Sequence, residues 1–130
     1  MLTILTDSFC TFLLPTDRGV KVIAIENLVR IEALSNYSKL YFSNGNNLVV
    51  ARVLRKFEES LKEYGFLRIH HKHLVNMNWL VEDMKEANVI LLRNGEILLV
   101  SRRKKKGLQA DLEKWFHRRG KPVIKTNLAI

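Results

Sequence analysis

Two Asn-Gly pairs, Asn44-Gly45 and Asn94-Gly95, constrain this chain more than any other feature, because each sits between short runs rich in branched and aromatic residues. Lys39-Leu40-Tyr41-Phe42 and Leu48-Val49-Val50 flank the first; Asn88 to Leu92 and Ile97 to Ser101 flank the second. Asn-Gly tolerates positive φ at both central positions of a two-residue turn, so each pair predicts a hairpin. Val20 to Ile25 and Leu28 to Leu34, broken only by Glu26-Asn27, lack the caps and polar face of a helix and are expected as strands. The class that follows is mainly β and largely antiparallel.

Two helices complete the pattern. Leu54, Phe57, Leu61 and Tyr64 are spaced three, four and three apart, which predicts a helix over 53–64 with one buried stripe. Arg55 with Glu59 and Glu58 with Lys62 are i,i+4 pairs on its wet side, and Gly65 stands at C′. Its start has no Ser, Thr, Asp or Asn to cap it. A second helix over roughly 103–117 turns Leu108, Leu112, Trp115 and Phe116 inward, with Gly107 weakening its first turns by about 1 kcal/mol relative to Ala.

The second helix opens on five consecutive cations, Arg102, Arg103, Lys104, Lys105 and Lys106. A helix N-terminus carries partial positive charge, so each cation there is unfavourable by roughly 0.3–1 kcal/mol and an external anion is expected to compensate. Phosphate suits, because backbone N–H groups, dipole and side chains then attract the same group. The wider charge balance agrees. The chain has 22 Lys+Arg against 13 Asp+Glu, a formal net charge of +9. Nine basic residues (those five with Lys114, Arg118, Arg119 and Lys121) face two acids, Asp111 and Glu113, between residues 102 and 121. Such asymmetry points to a polyanion, either nucleic acid or an acidic membrane surface.

Length and cysteine content narrow the setting. At 130 residues a single domain is expected, large enough for a core without disulfides. The single cysteine, Cys10, cannot form an internal disulfide, which suits a reducing cytoplasm. No apolar run reaches the roughly 18 residues of a membrane span.

Catalytic and metal chemistry have one candidate segment, Phe66 to Asn76, which holds His70, His71 and His73. If extended, it puts His71 and His73 on one face and His70 on the other, offering two ligands with no cysteine or carboxylate nearby. No metal and no cofactor are expected. His70 beside Ile69 and Leu74 reads as a core histidine, and His71-Lys72 as an exposed polar loop suited to phosphates and base edges. Cys10, between Phe9 and Phe12, reads as a small hydrophobe rather than an activated thiolate. The isolated glycines form no phosphate loop, and Glu58, Glu59 and Glu63 are solubilising charge, so no enzyme is expected. A further polar loop, Leu34-Ser35-Asn36-Tyr37-Ser38-Lys39, joins two of the expected strands.

Taken in order, Ile31-Glu32-Ala33, Asn36-Tyr37, Tyr64-Gly65-Phe66, Arg68-Ile69-His70, Leu74-Val75-Asn76, Asn94-Gly95 and Val100-Ser101-Arg102-Arg103 resemble the LytTR DNA-binding domain of bacterial response regulators. The resemblance runs from about Phe9 to Trp115. It implies an elongated fold of small packed antiparallel sheets with two short helices, whose loops enter successive major grooves of double-stranded DNA. It carries DNA contact to Asn36, Tyr37, Ser38 and Lys39, to His71 and Lys72, and to Arg102 and Arg103, with Lys105 and Lys106 near phosphates. The middle loop, His70-His71-Lys72-His73, departs from the family's usual residues. The expected division is a lead-in over 1–8, the DNA-binding domain over 9–117 and a basic extension over 118–130. Eight residues are too few for a receiver domain, so binding without phosphorylation is expected, with a second copy joining on direct repeats. A basic RNA- or ribosome-associated protein is the alternative; it is disfavoured because exposed aromatics are few, chiefly Tyr37 and Tyr41.

Overall fold

The branched and aromatic runs pair as antiparallel ribbons in three sheets in the computed structural model, which describes residues 2–6 and 10–119. The first sheet takes β1 (Thr3–Thr6), β2 (Cys10–Thr16) and β3 (Gly19–Ala24) in chain order. The central sheet has five strands: β4 (Leu28–Leu34), β5 (Tyr37–Phe42), β6 (Asn47–Val50), β7 (Phe66–His70) and β8 (His73–Asn76), ordered β6-β5-β4-β8-β7. The third comprises β9 (Leu80–Met84), β10 (Val89–Leu92) and β11 (Ile97–Leu99). Helix α1 (Leu54–Leu61) follows β6, and α2 (Arg102–Arg119) follows β11.

Period-two alternation builds two cores on the faces of the central sheet. Leu28, Ile31, Leu40, Phe66 and Leu74 face one way, against Phe12, Leu14 and Ile23 of the first sheet and Leu54, Phe57 and Leu61 of α1. Their neighbours Val29, Leu67, Ile69 and Val75 face the other way, against Ile90, Leu92 and Leu98 of the third sheet and Leu108, Leu112 and Trp115 of α2. One ion pair ties these layers at their edge. Arg30 of β4 donates through Nε and Nη2 to the Glu96 carboxylate at 2.9–3.2 Å, while its guanidinium lies over the Tyr41 ring.

Both Asn-Gly hairpins form, but by a different turn from the expected one. Asn44 and Asn94 keep negative φ, and only Gly45 (φ 89°) and Gly95 (φ 90°) are left-handed. Gly45 N–H donates to Phe42 O at 3.0 Å, and Phe42 N–H to Asn46 O at 2.9 Å, which makes a three-residue loop closed by a glycine bulge. Gly95, Leu92 and Glu96 repeat the pattern. The reason is local: each Asn Oδ1 accepts the N–H two residues on, from Asn46 at 2.9 Å and from Glu96 at 3.1 Å, and so holds the Asn in its turn.

Other boundaries also move. The expected helix over 53–64 ends its α-turns at Leu61 and tightens to a 3₁₀ turn over Lys62–Tyr64 before Gly65 reverses the chain. Helix α2 begins at Arg102, one residue early, because Ser101 Oγ accepts the Lys104 N–H at 3.1 Å and serves as the cap. At 18 residues it is not short. The expected lead-in over 1–8 holds β1, registered on β2 from Thr3↔Leu13 to Thr6↔Cys10, and Leu2 is buried. Of the extension over 118–130, residues 120–130 lie outside the described residues, as does Phe9.

Buried Asn76 closes the end of β8. Its Nδ2 donates to Ile25 O at 3.2 Å and Leu28 O at 3.0 Å, and its Oδ1 accepts from Asn78. Asn76→Ala removes a donor from each carbonyl in a site with no solvent exposure, leaving Ile25 O only the Leu28 N–H. The expected loss is about 2 kcal/mol, read as a lower urea midpoint at unchanged slope.

Candidate nucleic-acid interface

The central sheet brings three polar segments to one of its ends. Strands β4 and β5 join through Ser35-Asn36, with Leu34 paired to Tyr37 and Ser35 left-handed at φ 58°. Strands β7 and β8 join through His71-Lys72, with His70 paired to His73. Because β4 pairs β8, Glu32 sits opposite His73 and the Ala33 N–H donates to Lys72 O at 2.9 Å, so the two turns lie side by side. At about 4.8 Å per strand spacing they are separated by roughly 10 Å. The third segment joins through β7: Ser101 N–H donates to Ile69 O at 2.9 Å and seats the first turn of α2 beside the end of that strand.

Most of the residues singled out from sequence are presented there. Asn36, Tyr37 (51% exposed), His71, Lys72, Arg102, Arg103, Lys105 and Lys106 are exposed, and Lys39 is half-buried with Nζ 5.1 Å from the Tyr41 ring centroid. Ser38 departs from expectation. Alternation places it on the inward face with Leu40, it is fully buried, and its hydroxyl donates to Arg52 O at 2.6 Å, so it holds β5 to the segment after β6 and cannot reach a partner.

Three of the nearby acids are already committed. Glu58 pairs with Arg68 at 3.1 Å, Glu32 with Arg30 at 3.5 Å, and Glu96 with Arg30 at 2.9 Å. No ion pair among the described residues engages Lys39, Lys72, Arg102, Arg103, Lys105 or Lys106. The cations at this end therefore keep their attraction for an external anion.

Arg68 is a residue that sequence reasoning missed. It spans the base of the middle turn, donating from Nη1 to Glu58 Oε1 and from Nη2 to the carbonyl of His71. Nothing in the sequence signals it, since Glu58 lies on α1 and the two meet only after β7 packs on that helix. Ser101, in contrast, carried a legible signal as a cap before a charged helical run.

The histidines do not alternate as in an extended strand, because the turn at His71-Lys72 makes His70 and His73 cross-strand partners. Their ring centroids are 5.3 Å apart, and those of His70 and His71 stack at 4.4 Å. His70 Nδ1 accepts the Lys72 N–H at 3.1 Å and so orders the turn. Among the described residues no cluster of His, Cys, Asp or Glu is arranged to hold a metal.

Burial first, then neighbouring cations (His71 and Lys72 for His70, Arg30 for His73), hold both imidazoles below the usual histidine pKa, although Glu32 pulls His73 upward. Burial also raises the Glu32 carboxyl, but the Tyr41 hydroxyl (2.8 Å) and Arg30 outweigh it and leave the pKa low; Arg30 does the same for Glu96. The unfolded chain thus binds more protons than the folded one, first below about pH 6.5 and again below about 4.5. The melting temperature is expected to fall in two steps as pH drops from 7.5 to 3.5, and His73→Gln to flatten the first.

The model for the LytTr DNA-binding domain matches residues 18–113, which contain all three segments. The chain belongs to this family. A solved LytTr DNA-binding domain, from a methyl-accepting/DNA response regulator of Bacillus cereus, shares the fold at a TM-score of 0.65 and 20% identity. The match covers 78% of this chain and 95% of that one. No curated protein matches the sequence. The mainly β architecture of small antiparallel sheets is thus the LytTr fold, and in this LytTr domain the cationic sheet end is the candidate DNA interface.

Proposed function

We propose that this LytTr domain binds double-stranded DNA sequence-specifically in the major groove, regulates bacterial transcription in the cytoplasm, and catalyses no reaction. One observation carries the reading: turns 35–36 and 71–72 and the start of α2 lie in a row, their cations unpaired by carboxylates. The binding unit takes in β1 as well as the expected residues 9–117, since Thr3–Thr6 pair with β2 and Leu2 is buried in the core. In it Arg102 reads a guanine edge bidentately, Asn36, Tyr37 and His71 contact bases, and Lys39, Lys72, Arg103, Lys105 and Lys106 hold phosphates. A row of this kind suits an output domain of a two-component system; the Bacillus cereus domain is named as part of a DNA response regulator. No described helix is long and apolar enough to cross a membrane.

Selection of bound fragments from random duplexes should enrich one short repeat. On that site Arg102→Ala is expected to lose about 1–3 kcal/mol of binding while affinity for random duplex barely changes, since neither Ala nor Lys reproduces the guanidinium fork. Tyr37→Ala and His71→Ala should act in the same direction but more weakly. Equal losses on specific and random DNA would reduce these residues to phosphate contacts. Two copies are proposed to occupy direct repeats about 20–21 base pairs apart, on one face of the duplex. Moving one repeat by half a turn should then abolish cooperative band shifts.

A further inference from the structure

Hydrogen bonds from three directions hold the turn at His71-Lys72. Arg68 Nη2 donates to the carbonyl of His71, the Ala33 N–H donates to Lys72 O at 2.9 Å, and the Lys72 N–H donates to His70 Nδ1 at 3.1 Å. The first two acceptors are carbonyls, which do not titrate. The third is an imidazole nitrogen, and to accept it must carry no hydrogen, so the neutral ring holds its proton on Nε2. A second proton goes to Nδ1 and sets one donor against another.

This closure, from a side chain to the N–H two residues on, recurs elsewhere in the chain with other acceptors. Asn44 Oδ1 takes the Asn46 N–H, Asn76 Oδ1 that of Asn78, Asn94 Oδ1 that of Glu96, and Thr16 Oγ1 that of Arg18. None of those four acceptors takes up a proton near neutral pH. The histidine stands at the turn assigned above to base and phosphate contact.

The surroundings offer a protonated His70 no compensation. His71 stacks on it at 4.4 Å, His73 of β8 lies 5.3 Å away, and Lys72 follows in the turn. Glu32 of β4, opposite His73, is engaged by Arg30 and Tyr41, and Glu58 of α1 is engaged by Arg68. The start of α2 beside the end of β7 adds Arg102 and Arg103. No described ion pair joins His70 to a carboxylate. Burial, then His71 and Lys72, accordingly hold its pKa below the usual histidine value.

We propose that His70 is a positioning residue that couples sequence reading to pH: neutral, it orders the 71–72 turn for base contact; protonated, it releases the Lys72 N–H and the turn with it. Attraction for the duplex survives, since a cation has been added, while discrimination is lost. The coupling to DNA rests on the function proposed above; the titration of the turn does not.

The free chain is tested first, without DNA. Ring ¹⁵N spectra of neutral His70 should show an unprotonated Nδ1, and the Lys72 amide should shift with the same midpoint as the His70 ring, below about pH 6.5. A Lys72 amide that does not follow that ring would overturn the switch. Fluorescence anisotropy then compares the selected duplex with a random one. Between about pH 7.5 and 5.5 the ratio of affinities should fall about fivefold, which is what one hydrogen bond of roughly 1 kcal/mol is worth, with random-duplex affinity steady or higher. Acid unfolding would lower both. His70→Asn offers an Oδ1 acceptor that cannot titrate, as at Asn44 and Asn94, and should flatten the ratio against pH, whereas His70→Ala should keep it low throughout. A ratio that falls as steeply in His70→Asn as in the parent would overturn the coupling and leave the titration of the turn standing. No preference for any duplex at any pH would instead overturn the DNA-binding reading, and the coupling with it.

Discussion

Duplex affinity is expected to fall about 500-fold as monovalent salt rises from roughly 50 to 200 mM, because about five neutralised phosphates give a slope of log K against log salt near −4.5. The cations responsible are exposed at one end of the central sheet: Lys72, Arg103, Lys105 and Lys106, with half-buried Lys39 beside them. Lys105→Ala or Lys106→Ala should reduce the slope by about one and weaken specific and random duplexes alike. Arg68→Ala tests whether the frame matters as much as the contacts. Arg68 contacts only the backbone carbonyl of His71 and none of the side chains proposed to meet DNA, so its removal should weaken specific binding and leave the salt slope nearly intact. Fluorescence anisotropy on a labelled duplex at four salt concentrations measures all of this. An affinity that does not change with salt would falsify the cationic interface.

The second large effect concerns the joint that seats α2. Gly65 is left-handed at φ 93°, and a Cβ built on it would stand 2.5 Å from Trp115 Cζ2 and 2.8 Å from Cη2. A left-handed alanine is unfavourable by about 1–2 kcal/mol. Pushing the buried indole aside adds about 1–3 kcal/mol of overpacking. Gly65→Ala is therefore expected to destabilise the domain by roughly 2–5 kcal/mol in urea unfolding. Trp115→Leu in the same chain should recover part of that loss, since it removes the clash but not the backbone strain, and the two effects separate in a double-mutant cycle. The functional consequence follows from where the indole sits: Trp115 anchors the far half of the helix whose first turn carries Arg102 and Arg103. Any Gly65→Ala protein that remains folded should lose specific binding before it loses affinity for random DNA.

Much of this architecture was written in local pattern. Strand Leu28–Leu34 and both hairpins follow from runs of branched residues broken by Asn-Gly. The stripe Leu54, Phe57, Leu61 places α1, and the glycine after Tyr64 ends its 3₁₀ extension. These features depend on neighbours within a few positions, where φ, ψ preference and periodicity act directly. The order of motifs was also legible as LytTr, and with it the segments 36–39, 71–72 and 102–106.

What the tertiary structure alone decided depends on contacts between residues distant in the chain. Ser38 sits in a polar loop by sequence, yet strand alternation turns it inward with Leu40, and Arg52 O takes its hydroxyl. The pairing of β4 with β8 brings the turns at 36 and 71 side by side, and the bond from Ser101 to Ile69 adds the start of α2. Arg68, Glu58 and the carbonyl of His71 meet only because α1 packs near β7. Which cations stay free is decided in the same way, since Arg30 and Arg68 engage carboxylates that composition counts equally against every lysine and arginine. Sequence by itself therefore determined which segments are polar, charged and turned; burial and strand pairing determined which of their side chains face outward together. The reason is that side-chain direction reverses at each residue of a strand, so one position of register decides between core and interface.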